Sequence, residues 1–227
     1  MRLRPYTTVL PKPLMPVGDR PILDIIVQQL RRAGCDRITI STGYLAELIE
    51  AFFGNGAKYD VPIDYFRETE PLGTVGSLAL IDDLDADTLV MNGDILTDLD
   101  YAAMLTDHRA GDASITIATR VREVEISLGV PQFADGDLTR VTGFVEKPRI
   151  EYRASMGVFC VSPRAISHIE GGERLDLPDL VLRLIDNDEV VRAWTSDAYW
   201  LDIGQHDDYE RALAEFEKIR HRLLPEP

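Results

Sequence analysis

Apolar positions along the chain keep two rhythms, and the change from one to the other falls near residue 110. In the first part, Ile22, Leu23, Ile25, Ile26, Val27 and Leu30 recur at helical spacing, and Pro21 suits the first position of that helix with Asp19 as its cap. Gly34 would end it, and residues 36–42 have the β-branched content of a strand. A helix at 45–53, a short strand at 61–66, a glycine-started helix at 72–81 and a buried strand at 87–92 follow. Strands separated by helices of this length predict an α/β fold: a doubly wound, Rossmann-like, mostly parallel sheet whose ligands bind beyond the carboxyl ends of the strands.

Past residue 110 the strands come in quick succession, at 113–120, 129–134, 138–146 and 155–161, with tight turns such as Asp135-Gly136-Asp137. They predict an antiparallel addition forming the far wall of a cleft. The chain closes with a helix at 176–187, a strand near 190–194 and a helix from about 205 to 222. That last helix places Tyr209, Leu213 and Phe216 on one side and Lys218, Arg220 and Arg222 near its end. The expected organisation is one domain over 1–227: a first half to 110, a second half from 111 to 204, and a docking helix at 205–222.

Charge narrows the partners. The 227 residues carry 24 basic and 39 acidic side chains, a net charge of −15, which argues against general nucleic-acid or anionic-membrane binding. A polyanionic substrate would need a locally basic cleft. Cys35 and Cys160 lie far apart in apolar contexts and read as free thiols of a reducing compartment. With neither a signal peptide nor a run of 18 apolar residues, a cytoplasmic protein without a membrane anchor is expected. His108, His168, His206 and His221 lack ligand spacing and read as surface or cap residues; no Walker loop, Gly-x-Ser-x-Gly or dinucleotide fingerprint occurs.

Four stretches carry candidate chemistry. Pro5, Pro11, Pro13 and Pro16 make the opening segment a rigid extended loop that points Arg2, Arg4 and Lys12 in fixed directions, which suits an anion and equally suits an ordinary proline-rich surface connection. Asn92-Gly93-Asp94 ends a buried strand, so Asp94 can face a divalent ion, or simply make a turn. Asp202, a lone acid within Tyr199-Trp200-Leu201-Asp202-Ile203-Gly204, would be costly to bury unless paired or bound to a cation. Two carboxylates with phosphate oxygens and waters suit Mg²⁺. Glu146-Lys147-Pro148 presents a carboxylate and an ammonium at a strand end, for sugar hydroxyls and phosphate or as a surface ion pair. The glycines of residues 68–76, Gly73 among them, let a planar base approach the backbone, and a carboxylate at Glu68 matches the adjacent NH donors of guanine.

Arg2-Leu3-Arg4-Pro5 followed by Lys12-Pro13-Leu14-Met15-Pro16-Val17 resembles the signature loop of the sugar-1-phosphate nucleotidyltransferases, and the similarity continues in order to about residue 213. The stretch Glu70-Pro71-Leu72-Gly73-Thr74-Val75-Gly76 looks like that of mannose-1-phosphate guanylyltransferases in particular. The resemblance implies condensation of a nucleoside triphosphate with a sugar 1-phosphate, GTP and mannose 1-phosphate favoured. It gives Arg2, Lys12, Asp94 and Lys147 catalytic roles, Asp94 and Asp202 the Mg²⁺, and Glu68, Gly73, Gly129, Glu146 and Lys147 the substrates. Asp98, Asp100 and the acidic cluster at 82–87 have no counterpart in the family's motifs. Ser155-Met156-Gly157-Val158-Phe159 stands where many relatives carry Asn-x-Gly-x-Tyr.

In the family this loop follows a first strand and a Gly-Gly-x-Gly-Thr turn, whereas this chain begins with Met1 where the threonine would stand. Two alternatives therefore stay open: an enzyme using UTP, TTP or CTP with a glucose-type phosphate, and a non-catalytic sugar-nucleotide-binding regulatory subunit. No hexapeptide repeats follow residue 222, so the left-handed β-helix of some relatives is not expected; the reading leaves room for a homo-oligomer.

Overall fold

The computed structural model describes residues 6–204 and 206–224. Helix α1 (Ile22–Arg32) buries the six apolar residues named above, together with Asp24. That carboxylate is tolerated because Arg20 (3.0 Å), Gln28 (2.7 Å) and the Tyr59 hydroxyl (2.5 Å) all donate to it. Pro21 is the cap rather than the first helical residue, and the Asp19 side chain pairs with Arg220 instead. At the far end the N–H groups of Cys35 and Gly34 return to Leu30 and Arg31, so Gly34 follows the helix as expected.

Strand β1 (Ile38–Thr42), helix α2 (Ala46–Phe53) and strand β2 (Ile63–Arg67) make a βαβ unit with β1 and β2 parallel. Next come β3 (Thr88–Met91), β4 (Ile95–Thr97), α3 (Tyr101–Ala110), β5 (Ile115–Glu125), β6 (Val130–Ala134), β7 (Asp137–Val145) and β8 (Arg149–Val161). Helix α4 (Leu177–Asp186), β9 (Val191–Thr195), β10 (Trp200–Asp202) and α5 (His206–Leu223) complete the chain. The largest sheet runs β9-β5-β8-β3. The α/β class holds with a mixed sheet: among the described residues the parallel ladders are β1 with β2 and β9 with β5, while β8 runs antiparallel to both of its neighbours.

Three further expectations need correction. Residues 72–81 form no α-helix; only a 3₁₀ turn at Gly76–Leu80 remains, because Leu72, Thr74 and Val75 spend their backbone groups on residues 175 and 176. In α5 the buried face is Tyr209, Ala212 and Phe216, and Leu213 points outward. His108 is 1% exposed rather than superficial, with its Nδ1 2.8 Å from the Thr116 hydroxyl. Cys160 is buried and Cys35 half-buried, both as free thiols. Among the described residues no helix is long and apolar enough to cross a membrane.

The buried residues fall into two clusters. The larger joins α1, β1, α2, β4 and α5; the smaller lies between Val75, Leu78, β5, β8 and α4. The Tyr209 hydroxyl donates to the Pro16 carbonyl at 2.7 Å, so α5 seats the opening loop on the larger core.

Candidate active site

Lys12 begins a 3₁₀ turn closed by Leu14 N–H to Pro11 (2.9 Å) and Met15 N–H to Lys12 (3.0 Å). With prolines at 11 and 13, that turn has few other conformations and aims the lysine inward. Its ammonium meets the Asp94 carboxylate, 82 residues further on, and both side chains are about a quarter exposed. Asp94 lies in the connection between β3 and β4, steadied by the fully buried Ile95 and Leu96.

Strand β10 pairs with β4, setting Asp202 opposite Ile95, while Ile203 N–H donates to the Asp94 carbonyl at 3.1 Å. The backbones of the two aspartates are therefore one step apart, Asp202 on β10 and Asp94 just before β4. Among the described residues no group of three His, Cys, Asp or Glu side chains could hold a metal ion. A pair is nevertheless what Mg²⁺ ordinarily takes from a protein when phosphates and waters complete its shell, and Lys12 limits the local negative charge. The donor set fits that ion.

Asp202 also lines an open cleft of about 220 Å³. Its walls come from four places: Asn92 and Ile95; Ser155, Met156 and Gly157; Trp200; and Thr74 opposite Leu177 and Pro178. The shape follows from an irregularity in β8, whose pairing with β5 shifts register between Ser155 and Phe159. The backbone freed there accepts from outside the ladder: Trp200 Nε1 donates to Met156 O (2.8 Å) and Asn92 N–H to Gly157 O (3.0 Å). The Arg122 guanidinium lies 5.7 Å from the Trp200 ring centroid.

Glu68, at the end of β2, is tied down by Ser41 Oγ (2.8 Å) and Leu72 N–H (3.2 Å), and its own N–H reaches Thr42 O at 2.8 Å. It clamps the 68–76 loop to the carboxyl end of β1. Gly73 has φ +80°, and a Cβ there would lie 2.4 Å from Leu175 O, so glycine is required for the turn and for the approach. Gly129 lies against Glu146, with space for a Cβ only 2.8 Å from Glu146 Oε2. Lys147 follows with φ 47°, and both side chains of this arch are exposed.

Of the sequence candidates, then, the fold pairs Lys12 with Asp94, brings the backbone of Asp202 beside that of Asp94, and sets Gly129 against Glu146. Arg2 lies outside the described residues. Ser41, Asn92, Ser155, Trp200 and Leu177 were not singled out as site residues. Asn92, Ser155 and Trp200 each sit within a motif that was read, whereas Ser41 and Leu177 carried no signal before the chain folds.

The family model for nucleotidyl transferases matches residues 1–219. A UTP–glucose-1-phosphate uridylyltransferase of Synechocystis is 31% identical over 230 residues, covering 93% of this chain and 59% of its own length. The chain likewise spans about 59% of several mannose-1-phosphate guanyltransferases. A D-glycero-alpha-D-manno-heptose 1-phosphate guanylyltransferase of Aneurinibacillus thermoaerophilus is 32% identical, with 95% of this chain and 94% of that one covered. Among solved structures, HddC from Yersinia pseudotuberculosis complexed with GMP-PN superposes with a TM-score of 0.69 at 25% identity, covering 95% of this chain and 94% of that one.

Proposed function

Because this chain belongs to the nucleotidyl transferase family, we propose that it condenses a nucleoside triphosphate with a sugar 1-phosphate, releasing pyrophosphate. The observation that carries this reading is the Lys12–Asp94 pair, drawn from opposite ends of a half-domain and set one ladder step from Asp202. A phosphate oxygen of the sugar phosphate attacks the α-phosphorus in line, the bond to the β-phosphate's bridging oxygen breaks, and pyrophosphate leaves. No covalent intermediate on the protein is needed, so the side chains position the reactants and offset charge.

In this reading Lys12, with Arg2, meets the charge of the triphosphate, and Lys147 meets the sugar phosphate. Glu146 accepts from sugar hydroxyls beside the Gly129 backbone. Asp94 and Asp202 would hold Mg²⁺, which when bound supplies neutralisation of the phosphate oxygens. Gly73 brings the backbone of the 68–76 loop near the base, and Glu68, whose two oxygens already accept from Ser41 and Leu72, shapes that loop while keeping lone pairs for guanine donors. Residues 1–110 are the nucleotide half, 111–204 the sugar half and 205–222 the helix that seats the opening loop, in a cytoplasmic enzyme.

GTP with a manno-configured sugar phosphate is the favoured pair, supported by the guanylyltransferase matched along nearly its whole length. UTP with glucose 1-phosphate is the second reading, favoured by the uridylyltransferase match. Pyrophosphate release with Mg²⁺, for five nucleoside triphosphates against mannose and glucose 1-phosphates, separates the two. Asp94→Ala and Lys12→Ala are each expected to lower turnover at least a hundredfold, as lost charge stabilisation does, with the unfolding midpoint nearly unchanged. An Asp94→Ala variant with wild-type turnover would sink the assignment.

A further inference from the structure

Helix α4 begins with an unusual exchange. Asp176 occupies its N-cap position, yet the side chain does not cap the helix. Its Oδ1 instead accepts the backbone N–H of Thr74 at 3.0 Å, from a loop 102 residues earlier. The Thr74 hydroxyl in turn accepts the N–H of Leu177, the first residue of α4, at 2.7 Å. Each segment caps the other, where an aspartate at this position ordinarily caps its own helix.

The staple has more than these two bonds. Leu175 N–H reaches Leu72 O (2.9 Å) and Val75 N–H reaches Leu175 O (3.2 Å). Gly73 and Gly76 let the two segments touch, with 2.4 Å between a built Cβ and the carbonyls of Leu175 and Glu173 respectively. Thr74, Leu177 and Pro178 all line the cleft. The bonds at Glu68 hold the other end of the same loop on β1. The loop assigned to the nucleotide base is therefore anchored at one end in its own half and at the other by the half assigned to the sugar.

We infer that Asp176 is a positioning residue for the nucleoside triphosphate although it stands in the sugar half, and that Thr74 does the reciprocal service for α4. This rests on the transferase reading above. Removing the Asp176 carboxylate leaves the Thr74 N–H without its acceptor but leaves the Leu177 cap in place, so the loop loosens while the helix keeps its start. Removing the Thr74 hydroxyl does the converse.

The test is steady-state kinetics of the full chain with its preferred substrate pair, beside thermal unfolding. Asp176→Ala should raise KM for the triphosphate about tenfold, the size of one charge-assisted hydrogen bond, with KM for the sugar phosphate changed less than about twofold. Asp176→Asn keeps an acceptor oxygen and should recover most of the loss. Thr74→Val should lower the unfolding midpoint and raise KM for the sugar phosphate, and Thr74→Ser should restore both. Equal changes in the two KM values for Asp176→Ala, no change in either, or an Asn variant as impaired as Ala would overturn the inference while wild-type turnover upholds the transferase reading. A wild type silent with every pair would overturn the transferase reading and this inference with it.

Discussion

Gly129→Ala separates the role proposed for the Glu146 arch from the stability of the fold. The backbone at 129 is not in the left-handed region, so alanine meets no conformational penalty there. Space is the obstacle: the new Cβ would stand 2.4 Å from Phe144 Cζ and 2.8 Å from Glu146 Oε2, where ordinary contact begins at 3.4 Å. The ring must retreat about 1 Å and the carboxylate about 0.6 Å to restore van der Waals distance. Phe144 is 65% exposed and gives way cheaply, so stability should fall by less than ~1 kcal/mol and the melting temperature by less than about 4 °C. Glu146 cannot move without misaiming the oxygen proposed to accept from the sugar. Hydrogen bonds to charged groups are worth about 1.5–3 kcal/mol, so KM for the sugar phosphate should rise roughly ten- to 150-fold. KM for the triphosphate should hold. The assay is initial-rate pyrophosphate release with each substrate varied in turn, beside differential scanning calorimetry. A variant with unchanged sugar-phosphate KM would refute the placement of Glu146 against the sugar, and a collapse in melting temperature would refute the claim that the arch is free to adjust.

Further expectations concern stability. Burial pushes the Cys160 thiol from 9.0 up to about 12, with Asp87 adding to the shift. The folded state therefore holds a proton that the unfolded chain gives up above pH 9. That contribution is whole below pH 9 and lost between 9 and 12 at ~1.4 kcal/mol per pH unit; Tyr59, Tyr101 and Tyr199, raised chiefly by burial, add to it at still higher pH. Urea midpoints measured from pH 8 to 11 should fall, and less steeply in Cys160→Ala. Burial lowers the His108 pKa against the opposing pull of Asp87. Unfolding then takes up a proton as pH drops below 6.5, and the part of the stability loss between pH 7 and 5.5 that disappears in His108→Gln measures it. Trp200→Phe leaves the Met156 carbonyl without its 2.8 Å donor and should cost about 1 kcal/mol, read as a melting temperature a few degrees lower.

What could be read before folding is what repeats over short distances. The α1 apolar face, the β-branched run of β1 and the Asp135-Gly136 turn between β6 and β7 each declare themselves within a dozen residues, and each stands within a residue or two of where it was expected. The helix expected at 72–81 failed for the opposite reason. Its apolar spacing is real, since Val75 and Leu78 are buried. Its backbone, however, is committed to residues a hundred positions away, and no local pattern announces a partner at 175 or 176. His108 failed for a different reason: Thr116 is only eight residues on, but it stands on β5, and helical spacing does not show that the turn between them folds the strand back over α3. The site divides along this line too. Lys12 and Asp94 meet across 82 residues, a contact for which only family resemblance stood in, while residue type alone left a surface loop or a plain turn as open as a catalytic group. Ser41 and Leu177 lay in no such motif. They enter the site because β1 and α4 hold one loop between them, and so its shape is set by the pairing of the two halves.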